Sequence, residues 1–254
     1  MGITEAEGII TREVKYGDSS RILTVLTAEY GKISVLAGGV RTNRSGLLSA
    51  TQMFSHVSLQ LFRGKEKGLF KINSGELLTS FGTLRNSLDK MAYASYFCEI
   101  ANTVIQENAP DEPQVRLLLN TLYLLENDKL SFLQIKSVFE FRTLALQGLL
   151  PDFSRCIVCD DASPSHFSLH RGGALCSSCA KKLKDSLPDL VHTGGAALKT
   201  ISYINYIEDK KAFSFSLSDT NLAYLSDLGE YCIEYFLERH FKTLDYLKKV
   251  QKLG

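Results

Sequence analysis

Residues 8–38, GIITREVKYGDSSRILTVLTAEYGKISVLAG, decide how the chain begins. The runs GIITREV, SRILTVLT and GKISVLAG are short, rich in β-branched residues, and separated by YGDS and AEYG. Short apolar runs bounded by Gly and Asp read as strands, because those residues accept the backbone angles of tight turns. SHVSLQLF and GLFKINSGELL extend the pattern to about residue 80, with GGVRTNRSG and RGKEKG as breaks. Val57, Leu59 and Leu61 alternate with Ser58, Gln60 and Phe62, the period of a strand with one buried face. Five such strands predict a small closed barrel of the OB type over residues 1–80. The stretch Leu47–Phe54 fits a short helix between the third and fourth strands.

Beyond Phe81 the period changes. Met91, Ala94, Phe97, Cys98, Ala101, Val104 and Ile105 recur at helical spacing. QVRLLLNTLYLLEN and SFLQIKSVFEFRTLALQG follow a break at DEP, the second run with Ser131 as N-cap and Gly148 as terminator. GGAALKTISYINYIE and the tail from Ser218 read as further helices; in the tail Leu225, Leu228, Cys232 and Phe236 fall on one inward face. The expected class is α+β: a barrel at 1–80, a first helical part at 81–150, a cysteine-bearing element at 151–182, and a C-terminal helical part at 183–254.

That element reads RCIVCDDASPSHFSLHRGGALCSSCA, residues 155–180. Cys156 and Cys159 form one C-x-x-C pair, and Cys176 and Cys179 form another after sixteen intervening residues. A tight C-x-x-C turn presents two thiolates to one ion, and two such turns close a tetrahedral shell. FSLHRGGALC supplies a hairpin that brings the pairs together. The spacing predicts one structural Zn2+ per chain, since a full four-thiolate shell leaves no open position for catalysis. His166 and His170 lie between the pairs as substitute ligands. Thiol redox chemistry is the rival, but it usually places one C-x-x-C at a helix start within a βαβ unit, a pattern missing here. Cys98 and Cys232 sit on helical apolar faces and read as core packing.

The composition sets limits. The 254 residues carry a net charge of only +1, so no global attraction to polyanions follows. No run of 18 or more apolar residues is present, and the first residues lack the basic start and apolar run of a secretory signal, which predicts a soluble cytoplasmic protein. Charge is nevertheless uneven: Tyr30 to Gly75 holds seven bases and one acid. On charge alone, a solvated basic face and a polyanion-binding surface fit equally well. If the barrel binds nucleic acid, Lys32, Arg41, Arg44, Arg63, Lys65, Lys67 and Lys71 are the phosphate contacts, with Tyr16, Tyr30, Phe62 and Phe70 as stacking platforms. Lys181, Lys182 and Lys184 read as a solvated helix face beside the cysteines, or as a basic edge. No phosphate-binding P-loop, dinucleotide fingerprint, H-E-x-x-H or G-x-S-x-G motif is present, so no catalytic residue is expected.

Taken together, the YG-x-x-S-R turn with Arg21, the TAEYGK turn, the basic GGVR loop, FRTLALQGLLPDFSRCIVC, GGALCSSC and YCIEYFLERHFKTLDYLKKV resemble the bacterial RecO recombination-mediator family over essentially the whole chain. The resemblance implies a DNA-binding protein of DNA repair and recombination, not an enzyme. It implies binding of single- and double-stranded DNA, annealing of complementary strands, and loading of RecA, with RecR, on gaps coated by single-stranded-DNA-binding protein. It also implies a bacterial, cytoplasmic, nucleoid-associated location. The family's DNA-binding bases map most directly onto Lys32, Arg41 and Arg44; Arg21 matches a family arginine whose role can also be structural. The rival reading is an RNA- or transcription-associated module, where OB barrels and zinc ribbons also occur.

Overall fold

The computed structural model describes residues 3–18, 20–38, 47, 49–63, 69–208 and 211–253. The chain forms two compact units, Met1–Lys129 with Phe241–Gly254, and Leu130–His240.

The first unit opens with five strands: β1 (Ile3–Tyr16), β2 (Ser20–Thr27), β3 (Gly31–Ala37), β4 (His56–Arg63) and β5 (Leu69–Thr79). They close into a barrel of order β1-β2-β3-β5-β4, in which only β3 and β5 run parallel. This is the five-stranded OB-type barrel that the strand count predicts. Closure gives each strand a neighbour on both sides, β1 with β4 and β3 with β5 sealing the ring. Inward positions of all five strands meet in one core, including Ile10, Leu23, Val25, Ile33, Val35, Val57, Leu59 and Ile72. Each such aliphatic side chain contributes about 1.5–3 kcal/mol when fully buried. The expected short helix is a single 3-10 turn, Ser49–Thr51.

Alternation fails in β1, where Ile9, Ile10 and Thr11 are all buried. The register slips between Ile10 and Arg12, and a helix covers the second side of the strand. The turn between β2 and β3 is equally specific. Thr27 Oγ1 donates to the Gly31 carbonyl at 3.0 Å and accepts from Tyr30 N at 3.0 Å. Gly31 has φ +63°, and a Cβ there would overlap the carbonyls of Gln106 and Ala109, so this glycine lets the barrel approach the segment that follows α2.

The helices of this unit are α1 (Gly82–Asn86), α2 (Leu88–Val104) and α3 (Glu112–Glu126). Ser87 caps α2 by accepting from Lys90 N, and Asp111 caps α3 by accepting from Gln114 N. The DEP break is thus a helix start, with Pro113 in the first turn, where its missing N–H costs nothing.

The second unit contains α4 (Phe132–Leu146), the hairpin β6 (His166–Ser168) and β7 (Gly173–Leu175), α5 (Ser177–Leu183), β8 (Val191–His192), α6 (Gly195–Tyr206) and α7 (Asp219–Phe236). The last helix, α8 (Lys242–Gln251), returns to the first unit and packs on α2. There Phe241 meets Tyr96 edge-on with ring centroids 6.1 Å apart, and Gln251 Nε2 donates to Tyr93 Oη at 2.7 Å. The units therefore cut the chain differently from the segments 81–150 and 183–254. The two halves of 81–150 have different partners: α1 to α3 join the barrel, while α4 joins α6 and α7. Ser131 caps α4 as expected, and Arg142 donates to the carbonyls of Ile204 and Asn205 at the end of α6. On α7, Leu225, Leu228 and Cys232 are buried and Phe236 is half-buried.

Candidate metal centre and nucleic-acid surface

The second unit brings the cysteines together through local structure. Ile157 N donates to Ala174 O at 2.9 Å, pinning the first C-x-x-C turn against β7. The turn is closed by Asp160 N on Cys156 O at 2.9 Å and Cys156 N on Asp161 O at 2.8 Å. The second pair opens α5: Cys176 is its N-cap, and its Sγ accepts from Cys179 N at 3.5 Å. The four Sγ atoms of Cys156, Cys159, Cys176 and Cys179 lie within 4.8 Å of one another. Cys156, Cys176 and Cys179 are buried with Leu175, Ala180 and Leu187, while Cys159 faces solvent. Cys159 Sγ stands 3.7 Å from Cys176 Sγ, well beyond the roughly 2.05 Å of a disulfide bond.

The thiols hold their protons unequally. Burial raises Cys156, but hydrogen bonds from the backbone of Cys176, Val158 and Cys159 outweigh it and bring it down to about 6. Cys179 is pushed up to about 12, first by its hydrogen bond with Cys159 and then by burial. Cys156 thus gives up its proton more readily than an ordinary thiol, whereas Cys159 and Cys179 hold theirs more tightly, as thiols crowded at one site do. A bound cation reverses that balance, so the set fits a metal ion. Among the described residues no histidine joins the cluster. Cys98 and Cys232 are buried in helices, and burial pushes both thiols far up, in keeping with a packing role.

The barrel gives its basic residues different surroundings. Lys32 is half-buried, and its Nζ donates to the Asn102 carbonyl in the last turn of α2 at 2.9 Å. Arg21 pairs with Glu13 across β1 and β2 at 2.8 Å. Lys71 is exposed on β5. The backbone of Arg63 pairs with Phe70. Arg41, Arg44, Lys65 and Lys67 lie outside the described residues. Of the aromatics, Tyr16 is exposed, Phe62 is half-buried, and Tyr30 and Phe70 pack against the barrel core.

Comparison with known proteins decides the family. The model described as "Recombination protein O N terminal" matches residues 1–81, and "Recombination protein O C terminal" matches residues 85–245. The chain is similar to the DNA repair protein RecO of Acetivibrio thermocellus, 34% identical over 100% of this chain and 99% of that protein. It is also similar to the DNA repair protein RecO of Halalkalibacterium halodurans, 27% identical over 98% and 96% of the two chains. The DNA repair protein RecO of Clostridium perfringens is 26% identical over 99% and 100%.

The chain belongs to the RecO family.

The N-terminal RecO match coincides with the barrel, whereas the C-terminal match runs through both compact units. A cleft of about 350 Å³ lies between barrel and α3 in the first unit, and Glu7, Glu29 and Glu112 are among its lining residues. Its lining also holds Arg116, paired with Glu112, and His56, hydrogen-bonded to Glu7, so the cleft is of mixed charge. Among the described residues no helix is long and apolar enough to cross a membrane.

One pairing escaped the sequence reading. His192 lies in the two-residue strand β8, opposite His166 of β6. So short a strand carries no periodicity, and twenty-six residues separate the imidazoles.

Proposed function

We propose that this RecO-family chain is a DNA-binding recombination mediator. It binds single- and double-stranded DNA, anneals complementary strands, and with RecR helps load RecA on gaps coated by single-stranded-DNA-binding protein. The observation that carries this reading is the full-length match to DNA repair proteins, joined to a barrel type used widely for nucleic acid. The work is done without bond chemistry. Complementary strands repel through their phosphates; a protein that neutralises both raises their encounter rate, and base pairing supplies the driving force. Lys71 is exposed and so available for such contact, as are Arg12 and Lys15 of β1. Lys32 and Arg21 already have protein partners, so their share in DNA affinity is small on this reading, and Arg41, Arg44, Arg63, Lys65 and Lys67 supply the rest.

The metal is Zn2+, held by Cys156, Cys159, Cys176 and Cys179 as a structural clip. Zinc at about 2.3 Å from four sulfurs sets tetrahedral edges of about 3.8 Å, and Cys159 and Cys176 stand 3.7 Å apart. The ion would lock the two turns and fix the hairpin against α5.

The test is annealing of complementary strands coated with single-stranded-DNA-binding protein, with and without RecR. Annealing stimulated by RecR supports the mediator. Equal affinity for structured RNA with no annealing would replace it with an RNA- or transcription-associated module.

A further inference from the structure

The pairing of β8 with β6 places the imidazoles of His166 and His192 with ring centroids 4.7 Å apart and His192 Nδ1 3.4 Å from His166 Nε2. They form part of the wall of a cleft of about 470 Å³, whose other sides include Lys181, Lys184, Leu187 and Leu190. That volume is in the ordinary range for a small-ligand site. The lining contains no carboxylate. Among the described residues, Lys181 and Lys184 have neither an ion pair nor a hydrogen-bond partner. Asp189, close in sequence, is already engaged: its carboxylate accepts from Ser168 Oγ and from His170 N. Burial, and then the neighbouring His192, lower the His166 imidazole below its ordinary value. Tyr224 of α7 is exposed and stands edge-on to His192, centroids 6.5 Å apart.

Two free ammonium groups, an apolar floor and flat imidazole and phenol rings are the complement of a nucleotide. The lysines suit the phosphate, and Leu187, Leu190 and His192 suit the ring of a base. A simple anion has no use for the floor. A duplex keeps its bases stacked inside and presents none to it. An unpaired strand offers both parts at once.

We propose that this cleft on the metal-bearing element binds single-stranded DNA, as a strand-holding site separate from the barrel. The proposal rests on the DNA-binding reading above. It adds that one chain holds strand at two places, which raises the local concentration of one strand beside the other.

The experiment uses the full-length metal-loaded chain and a fluorescent oligo(dT), titrated at several salt concentrations. Lys181→Gln/Lys184→Gln is expected to weaken binding on the order of tenfold at low salt, and to reduce the salt slope by about 1.4, for two lost phosphate contacts on a single strand. Metal content and melting temperature stay at the wild-type values. Photocrosslinking to a 5-iodouracil oligonucleotide is expected to label His192 or Tyr224. Wild-type affinity and salt slope in the double variant, with metal retained, would overturn the proposal. So would unchanged DNA binding with annealing lost only when a protein partner is present, which would make the cleft a protein-docking site. If the wild-type chain binds no DNA at all, the mediator reading itself fails, a result distinct from failure of the cleft alone.

Discussion

Gly229 of α7 faces the carboxylate of Glu140 on α4 so closely that a Cβ at residue 229 would overlap Oε2. The gap has a purpose. Lys136 is fully buried, and its Nζ reaches Glu140 at 3.1 Å, Glu230 at 3.0 Å, and both the carbonyl and hydroxyl oxygens of Ser226 at 3.0 Å. The absent side chain gives α7 the approach that closes this network. Burying the ammonium without those four acceptors would cost several kcal/mol.

Replacing Gly229 therefore has a diagnostic sign. In an unconstrained helix interior, Gly→Ala stabilises by about 1 kcal/mol. Here Gly229→Ala is expected to destabilise by about 1–3 kcal/mol, because the methyl group must displace Glu140. Lys136→Met should cost about 3–5 kcal/mol by leaving buried carboxylate without its cation. Urea unfolding of the full chain measures both, and a stabilised Gly229→Ala would show that α7 can move away freely.

Metal removal should loosen the second unit first. Elemental analysis is expected to find one zinc per chain, and Cys176→Ser to lose it; serine still caps α5, so the helix loosens through loss of the metal and not of its N-cap. Loss of DNA binding follows from that unfolding. A variant that lacks metal yet keeps the wild-type melting temperature and annealing would show the clip to be dispensable.

The six cysteines should titrate in two classes. In the metal-loaded chain a thiol reagent is expected to find none of them reactive. A chelator releases four, and denaturant the remaining two, Cys98 and Cys232, which are buried. Those two also set a pH dependence. Burial holds both thiols protonated in the fold, whereas an unfolded thiol ionises above about 8.5. The unfolded state then binds fewer protons than the native one, so stability falls as pH rises. For two thiols the limiting slope is about 2.7 kcal/mol per pH unit. Their contribution is fully present below the unfolded value and declines above it. Cys98→Ala/Cys232→Ala should remove that slope at a cost in packing, which unfolding curves at pH 8 and pH 10 will separate.

Lys32 and Lys71 should behave in opposite ways. Lys32→Met removes the donor to the Asn102 carbonyl and is expected to cost about 1.5–3 kcal/mol of stability, the range for hydrogen bonds to charged groups. Lys71→Glu, at an exposed strand position, should leave stability within about 0.5 kcal/mol and weaken DNA binding in a salt-dependent way. A stable Lys32→Met with lost DNA affinity would return Lys32 to the phosphate contacts. Arg21→Ala is expected to lose at most about 1 kcal/mol, because its pair with Glu13 is partly exposed and screened.

The sequence was most legible where the signal is local. Alternation in SHVSLQLF announces β4, Ser131 announces the start of α4, and the hairpin FSLHRGGALC announces how the cysteine pairs meet. It was least legible where one residue answers to another far along the chain. Lys32 reads as a free base until Asn102, seventy residues later, is found to accept from it. The tail reads as one more helical stretch until Phe241 is found against Tyr96.

The sequence by itself determined the five barrel strands, most of the helices and the two C-x-x-C turns, because each depends on spacing within a turn, a strand or a hairpin, which the covalent chain enforces; the closing β1–β4 and β3–β5 pairs and strand β8 depend on partners far along the chain. Tertiary structure alone decided which charges are available. Lys32 and Lys136 are taken up by acceptors within the fold, while Lys181 and Lys184 keep their ammonium groups free beside two imidazoles. The physical reason is that a charge is satisfied by whatever lies a few ångströms away in space, and no periodicity along the chain encodes that neighbour.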